Sequence, residues 1–279
     1  MHIVICIKQV PDSAQIRVDP VTNTIMRQGV PTIINPYDLF ALEERSSCAS
    51  HGGEVTVLTM GPPMAEDALR KALTVADRAV LLTERHFAGS DTLATSFALS
   101  RAIAKIGEAF GTPDIVFTAK QTIDGDTAQV GPGIAKRLDL LQLTYVAKIV
   151  SVDINGREIT VERRSEGGTQ TLMSKLPCLI TMLEGTNEIR RGSLDDALRA
   201  ARSQIVKWNA ADAGIEDLTK CGLRGSPTVV KRVFAPPERA EKAEQIDTAE
   251  KTPRDLAEEL IAGIFLRSGV ESELAFDAN

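Results

Sequence analysis

Short apolar runs alternate with helix signals through the first half of this chain, and that alternation restricts the fold more than any single motif does. Ile3 to Ile7, Glu54 to Met60, Ala79 to Leu82 and Asp114 to Ala119 read as strands. Between them lie Pro36 to Ala49, a stretch carrying Ala68, Leu69, Ala72 and Leu73, and a stretch carrying Leu93, Phe97, Ala98, Ala102 and Ile106, which read as helices. Asn35 is a candidate N-cap with Pro36 at the first helical position, and Ser90-Asp91-Thr92 caps the third helix. Strands joined by helices in this way pair in parallel and are covered on both faces. The spacing predicts an α/β fold built on a doubly wound, mainly parallel sheet.

The pattern changes at residues 142–183, where three strand-like runs are separated by turns. Asn155-Gly156 is a hairpin signal and Glu166-Gly167-Gly168 a second turn. An antiparallel extension of the sheet is expected there, followed by a last buried strand at Leu179 to Met182. Ser193 and Asp196 have capping-box spacing and start another helix. The core signal fades after Trp208, which gives a domain of residues 1–209 and a C-terminal arm of residues 210–279. Pro236 to Thr252 is charged and poor in apolar residues, as in an extended arm. Leu256, Leu260, Ile261, Ile264 and Phe265 share one face of a final helix, which packs either on its own domain or on a partner.

Ligands of such sheets sit at the carboxyl ends of the strands. Asn35, Met60-Gly61, Asp91-Thr92 and the run Lys120-Gln121-Thr122-Ile123-Asp124-Gly125-Asp126-Thr127-Ala128-Gln129-Val130-Gly131-Pro132 all fall at strand-to-helix junctions. A strand turning through such a loop into a helix aims backbone N–H groups and a positive helix end at one point, where an anionic phosphate binds. Gly125 can take a positive φ without steric cost. Asp126 with Gln129 reads as a capping-box relative. The spacing by itself favours an ordinary βα loop; the residue identities are what lift it above that reading. The chain contains neither Gly-x-Gly-x-x-Gly nor Gly-x-x-x-x-Gly-Lys-Ser/Thr.

Composition excludes several classes. A net charge of -6 argues against a broad nucleic-acid surface. No apolar run approaches the roughly 18–20 residues that span a bilayer, so no direct membrane insertion is expected. The N-terminal run from Met1 to Lys8 is short and lacks a basic lead-in, and reads as a first buried strand rather than a signal peptide. Cys6, Cys48, Cys178 and Cys221 form no Cys-x-x-Cys pair, so they are read as reduced, mostly buried and cytoplasmic, with no metal site. With one Trp and two Tyr, the chain offers little aromatic stacking, and a flavin or nicotinamide ring here would need backbone, aliphatic or partner contacts.

Over nearly its whole length the chain resembles the beta subunit of electron transfer flavoproteins. The matching segments are Val4 to Asp12, Asn35-Pro36-Tyr37-Asp38 with Ala41-Leu42-Glu43-Glu44, Thr59 to Pro62, the Lys120 to Pro132 loop, and Val161-Glu162-Arg163 through Leu176-Pro177 to Asn187-Glu188. Within that family it looks most similar to the Fix-type, nitrogen-fixation-associated branch. The string Asp124 to Pro132, together with Ser90 to Thr95, resembles electron-bifurcating members. The resemblance implies an adenine-nucleotide-binding, Rossmann-like domain paired with an alpha subunit that carries its own FAD. In this chain it implies FAD, or in the electron-shuttling alternative a structural AMP. Carried over by position, the nucleotide shell is Cys6, Asn35, Pro36, Tyr37, Asp38, Met60 and every residue from Ala119 to Val130. Asp91, Thr92 and Thr95 fall near the flavin ring. Thr122 and Thr127 would hold phosphate beside backbone N–H groups. Asp124 and Asp126 would cap backbone, bind ribose hydroxyls or pair with a cation such as Lys120.

The same resemblance makes Arg190 to Arg199 a recognition loop for partner flavoproteins. Leu194 is then an exposed anchor, with Arg190, Arg191, Arg199 and Arg202 around it; alternatively Leu194 packs on Leu198 one turn later. The implied activity is electron transfer with no catalytic side chain of its own, and only in complex with the alpha subunit. NADH would be the donor. Ferredoxin or flavodoxin would be one acceptor and a membrane-associated, quinone-linked flavoprotein the other.

Overall fold

The computed structural model describes residues 1–12, 31–49, 53–231, 246, 248–249 and 251–268, with side chains described for these except 45–49 and 264–268. The side chains of Cys48, Ile264 and Phe265, and most of the Pro236 to Thr252 arm, therefore lie outside the described residues. The chain divides into a first compact unit, Met1–Val233, and a second, Phe234–Asn279.

The first unit is organised by a nine-stranded sheet. Its strands in chain order are β1 (His2–Cys6), β4 (Glu54–Met60), β5 (Arg78–Leu82), β6 (Ile115–Ala119), β7 (Leu141–Asp153), β8 (Glu158–Ser165), β9 (Gly168–Lys175), β10 (Cys178–Met182) and β11 (Ile205–Trp208). Two short strands, β2 (Gln9–Pro11) and β3 (Thr32–Ile34), pair separately and antiparallel. The spatial order is β11-β5-β4-β1-β6-β10-β7-β8-β9. Every pairing from β11 to β7 is parallel, and β7-β8-β9 is antiparallel. The expected fold class is thus observed, antiparallel extension included. The strand at Cys178–Met182 does not continue that extension; it inserts between β6 and β7.

The connecting helices are α1 (Pro36–Ala49), α2 (Glu66–Ala72), α3 (Thr92–Phe110), α4 (Val130–Leu138) and α5 (Leu194–Arg202). Alternation along β1 decides which helix meets which face. Ile3 and Ile5 pack with Ala41 and Leu42 of α1 and with Leu69 of α2, whereas Val4 and Cys6 pack with Ala98 of α3 and Ile134 of α4. β1, β6 and β10 are buried at every position, as strands covered on both sides must be.

Three local expectations are corrected. Asn35 is not a side-chain cap: only its backbone carbonyl accepts from Asp38 N–H (2.9 Å), and its amide bonds elsewhere. Asp126 and Gln129 form no capping box, because Gln129 itself holds the N-cap position of α4 without a side-chain cap bond. The β7–β8 hairpin exists, but its left-handed residue is Arg157 (φ 53), not Asn155 or Gly156; the Asp153 carboxylate accepts from Gly156 N–H at 2.9 Å and sets a longer turn than the Asn-Gly pair implies. The Asp91 cap of α3 is formed, as is the reciprocal Ser193–Asp196 box of α5.

In the second unit, α6 (Pro253–Ser268) opens on Thr252, whose N–H and hydroxyl donate to Asp255 at 2.9 and 2.7 Å. Leu260 and Ile261 are each 50% exposed. Among the described residues no helix is long and apolar enough to cross a membrane.

Candidate functional site

β1 is the point where the sheet reverses. The chain proceeds from β1 to β4 on one side and places β6 on the other, with α1 and α4 on opposite faces. Such a reversal leaves a crevice beyond the carboxyl ends of β1 and β6. The segment after β1, the start of α1 and the loop after β6 all open there.

The loop from Lys120 to Gln129 is held from within and from outside. The Gln121 amide donates to Asp126 (2.8 Å), and the N–H groups of Gly125 and Asp126 donate to Thr122 O at 3.3 and 2.9 Å. Outside it, Asn35 is fully buried; its Nδ2 donates to Gln121 O (3.0 Å) and to Asp38 Oδ1 (2.9 Å), and its Oδ1 accepts from Ile123 N–H (3.1 Å). The left-handed residues are Asp126 (φ 48) and Ala128 (φ 55), not Gly125. A Cβ on Gly125 would stand 3.5 Å from Thr122 Oγ1, an ordinary contact, so the turn does not depend on that glycine. Ala128 at positive φ is followed by Gln129 at φ -99, ψ -23. Alternation of this hand turns successive N–H groups toward one side, the geometry of an anion-binding nest. It leads directly into the uncapped N-terminus of α4, whose third residue, Pro132, has no N–H to satisfy. Gly131 lets that helix end lie close on the sheet, since a Cβ there would be 2.7 Å from Thr118 Oγ1 and 2.9 Å from Thr181 Cγ2.

Charges near the loop are arranged differently from expectation. Asp124 does not pair with Lys120; both its oxygens take the Lys8 ammonium, at 2.7 and 2.8 Å. Lys120 instead pairs with Glu184 at 2.9 Å and stands 5.1 Å from the Tyr37 ring centre. Hydrogen bonding from Lys120 holds the Glu184 carboxyl below its usual range. Asp38 is 3% exposed and accepts from Lys8 N–H (2.7 Å) as well as from Asn35. Burial raises its pKa to about 7, against the lowering effects of the Asn35 and Lys8 hydrogen bonds and the Lys8 charge; Asp124 adds to the rise. Cys6, at the end of β1, is pushed up to about 12 by burial and then by Asp38, so it is an inert thiol.

The remaining candidates surround this centre. Thr92 Oγ1 donates to Gln129 Oε1 (2.8 Å), joining the N-termini of α3 and α4. Asp91 is engaged within the fold: one oxygen caps α3 and the other accepts from the N–H and hydroxyl of Thr228, at 3.1 and 2.8 Å. Residues 210–228 belong to the first compact unit, and Ser226 also accepts from Asp91 N–H at 2.8 Å. Met60 ends β4, and Thr95 lies one turn into α3. Pro36 opens α1, and Ala119 ends β6 with its side chain buried.

In the segment expected to dock partners, Leu194 is 76% exposed, so little of it is covered by Leu198 or by any other neighbour. Arg190 is bound to Glu43 at 2.8 Å, and Arg199 donates to the carbonyls of Ala76 (3.1 Å) and Thr74 (3.2 Å), so both arginines brace the segment. Arg191 and Arg202 are exposed. Asn187 ties the preceding residues to α1 through Phe40 O (3.0 Å) and Glu44 (2.9 Å).

Sequence reasoning did not single out Lys8, Glu184 or Thr228. Lys8 carried one usable signal, a cation just past a fully buried central strand; Glu184 and Thr228 meet their partners only through the fold. Among the described residues no group of three or more His, Cys, Asp and Glu side chains is placed to hold a metal ion. The donor set does suit a nucleotide: an uncapped helix end, a left-handed turn of N–H groups, the Thr122 and Thr127 hydroxyls, and carboxylates already occupied by cations or amides.

Comparison with known proteins shows the family of the chain. The model of the electron transfer flavoprotein domain matches residues 22–213. The chain is 78% identical over 278 residues to "Protein FixA" of Sinorhizobium fredii, covering 99% of this chain and 98% of the relative. It is 62% identical over 278 residues to "Protein FixA" of Azotobacter vinelandii, covering 99% of both. It is 48% identical over 250 residues to "Electron transfer flavoprotein subunit beta" of Thermoanaerobacterium thermosaccharolyticum, covering 89% of this chain and 92% of the relative. With a family model spanning most of the parallel sheet and relatives matched nearly end to end, the chain belongs to the electron transfer flavoprotein family.

Proposed function

We propose that the chain is the beta-type subunit of a two-subunit electron transfer flavoprotein serving nitrogen fixation, and that its switch-point crevice holds FAD. In this reading the assembly takes electrons from NADH in the cytoplasm. It divides them between ferredoxin or flavodoxin and, through a second FAD on the alpha subunit, a quinone-linked membrane flavoprotein. The observation that carries the nucleotide assignment is the Ala128–Gln129 turn opening into the uncapped end of α4 at the point of sheet reversal. The relatives named as beta subunits support the pairing with an alpha subunit, and the Thr127 to Pro132 string supports FAD with bifurcation over AMP.

When bound, the flavin supplies the redox chemistry. The residues of this chain bind and orient it. The N–H groups at residues 128–130 and the hydroxyls of Thr122 and Thr127 would hold its phosphates. Asn35 fixes the loop that presents them, and the Thr92–Gln129 bond sets the spacing of the two helix ends beside it.

Acid extraction of the purified two-subunit protein tests the reading. Two FAD and no AMP per assembly is the expected result; one FAD with one AMP identifies a shuttling subunit, and no nucleotide beyond the alpha subunit's FAD removes the site assignment.

Docking through Leu194 gives a second expectation. Leu194→Ala should leave the unfolding midpoint within about 2 °C, because a surface substitution changes stability by no more than about 0.5 kcal/mol. It should weaken electron transfer to the partner flavoprotein by about tenfold or more, as loss of an interface anchor worth about 2 kcal/mol does. Steady-state reduction of the partner at varied concentration checks this, with the effect expected in KM. An unchanged KM removes Leu194 from the interface.

A further inference from the structure

The helix ends beside the crevice are tied to a segment 137 residues further along the chain. Asp91, the cap of α3, divides its carboxylate. Oδ1 accepts from the N–H groups of Leu93 (2.9 Å) and Ala94 (3.0 Å), whereas Oδ2 accepts from the N–H (3.1 Å) and the hydroxyl (2.8 Å) of Thr228. Its own N–H donates to Ser226 Oγ (2.8 Å), and that hydroxyl donates in turn to Gly222 O (2.6 Å). Pro227 stands between these two partners of Asp91, and its ring fixes φ there. The cap is therefore oriented from outside the helix as well as from within it.

α3 passes its position on to α4. Thr92, the residue after the cap, donates to Gln129 Oε1 (2.8 Å), and Arg137 of α4 donates to Leu93 O (3.2 Å) in the first turn of α3. The two helices lie close enough that a Cβ on Gly133 would stand 2.7 Å from Ser96 Oγ. A bonded path thus runs from Thr228 through Asp91 and Thr92 to Gln129, the N-cap of α4 and the neighbour of the left-handed Ala128. Thr219 offers a comparison. Its N–H and hydroxyl both donate to Asp217, but among the described residues no hydrogen bond joins that pair to the first turn of α3 or α4.

We propose that Thr228 is a positioning residue for the nucleotide: by holding the outer oxygen of Asp91 it fixes the first turn of α3 and, through the Thr92–Gln129 bond, the turn that presents the N–H groups of residues 128–130. This rests on the reading that the crevice holds a nucleotide. The path makes a specific demand. Once the Thr92–Gln129 bond is gone, Thr228 has lost its line to the crevice, whereas a clip that merely fastens residues 222–228 would be missed equally with or without that bond.

The experiment uses the two-subunit protein with Thr228→Val, Thr228→Ser, Thr92→Val, the double variant Thr92→Val/Thr228→Val, and Thr219→Val as the matched control. The nucleotide still bound is measured by acid extraction at intervals after gel filtration, which gives a release rate. Thr228 is exposed, so valine removes the hydroxyl without opening a core cavity. Thr228→Val is expected to speed release about fivefold, within the range of couplings carried by such networks. Thr228→Ser keeps the hydroxyl and should stay within about twofold of wild type, as should Thr219→Val, which removes the same kind of bond away from the path. The double variant should release no more than about twofold faster than Thr92→Val alone, because the two residues act in series. Wild-type release from Thr228→Val overturns the proposal. So does a double variant in which the two effects multiply, and so does a Thr219→Val control as fast as Thr228→Val. A wild-type protein without nucleotide in this chain overturns the functional reading itself, an outcome distinct from wild-type loading with an indifferent Thr228.

Discussion

Asn35→Ala is expected to empty the crevice and to destabilise the chain by about 3–5 kcal/mol, because it strands buried polar groups at about 1–3 kcal/mol each. Asn35 is fully buried and serves three partners: Gln121 O, Ile123 N–H and Asp38. Alanine withdraws all three bonds together. The two backbone groups can recover water only if the loop lifts off β6, which disperses the N–H groups at residues 128–130. Asp38 also loses one of the two donors that offset its burial. At roughly 2–4 °C per kcal/mol for a domain of this size, the unfolding midpoint should fall by about 10 °C. Nucleotide retained per assembly should drop well below one. Asn35→Asp is no rescue, since it faces Asp38 with a second carboxylate and keeps only the acceptor for Ile123. Thermal unfolding followed by circular dichroism, with acid extraction of the same preparation, checks both halves. A midpoint near wild type together with full loading would show that the loop is held by something other than Asn35.

What could be read in the sequence and what could not divides along the range of the interactions involved. The parallel strands were legible because β1, β4 and β6 are short runs rich in β-branched residues, and burial of β1, β6 and the middle of β4 leaves such strands little polar alternation to confuse with a helix. The place of β10 was not, because pairing between β6 and β7 is a contact across more than thirty residues that no local pattern encodes. The Asp91 cap was legible from Ser90-Asp91-Thr92, but its second oxygen is taken by Thr228, 137 residues away. In the loop, Gly125 is the residue that could take a positive φ without steric cost, yet Asp126 and Ala128 adopt it. The Gln121–Asp126 bond and the two grips of Asn35 on residues 121 and 123 outweigh the steric cost there, roughly 1–2 kcal/mol per non-glycine residue. The choice between Lys8 and Lys120 as the partner of Asp124 turned on which strand end faces which, and that is a property of strand order rather than of spacing.

Asp38→Asn is expected to change how stability depends on pH, by on the order of 4 kcal/mol for a carboxyl whose pKa burial raises to about 7. In the fold burial, above all, raises the pKa of Asp38 to about 7 from an ordinary carboxylate value of 3.8. Between about pH 4 and 7 the folded chain keeps a proton that the unfolded chain has released. The contribution of this group is therefore fully present below about pH 4, falls as pH rises through the window, and levels off above about 7. Asparagine at 38 does not titrate. It has one acceptor oxygen for two donors, Lys8 N–H and the Asn35 amide, so it loses about 1–2 kcal/mol, but by the same amount at every pH. The variant should thus be less stable than wild type at pH 4.5 and equal to it or better at pH 8. Denaturant unfolding of both proteins across that range, at one protein concentration and one nucleotide concentration, measures the difference directly. Parallel curves would mean that Asp38 stays ionised in the fold, with the Lys8 and Asn35 donors outweighing burial. The position of the group also connects this titration to the crevice. Asp124 already raises Asp38, and a phosphate brought to the same loop adds like charge on that side. Nucleotide binding near pH 7 should therefore take up a fraction of a proton in the wild type and less in Asp38→Asn, a difference read from binding heats in two buffers of unequal ionisation enthalpy.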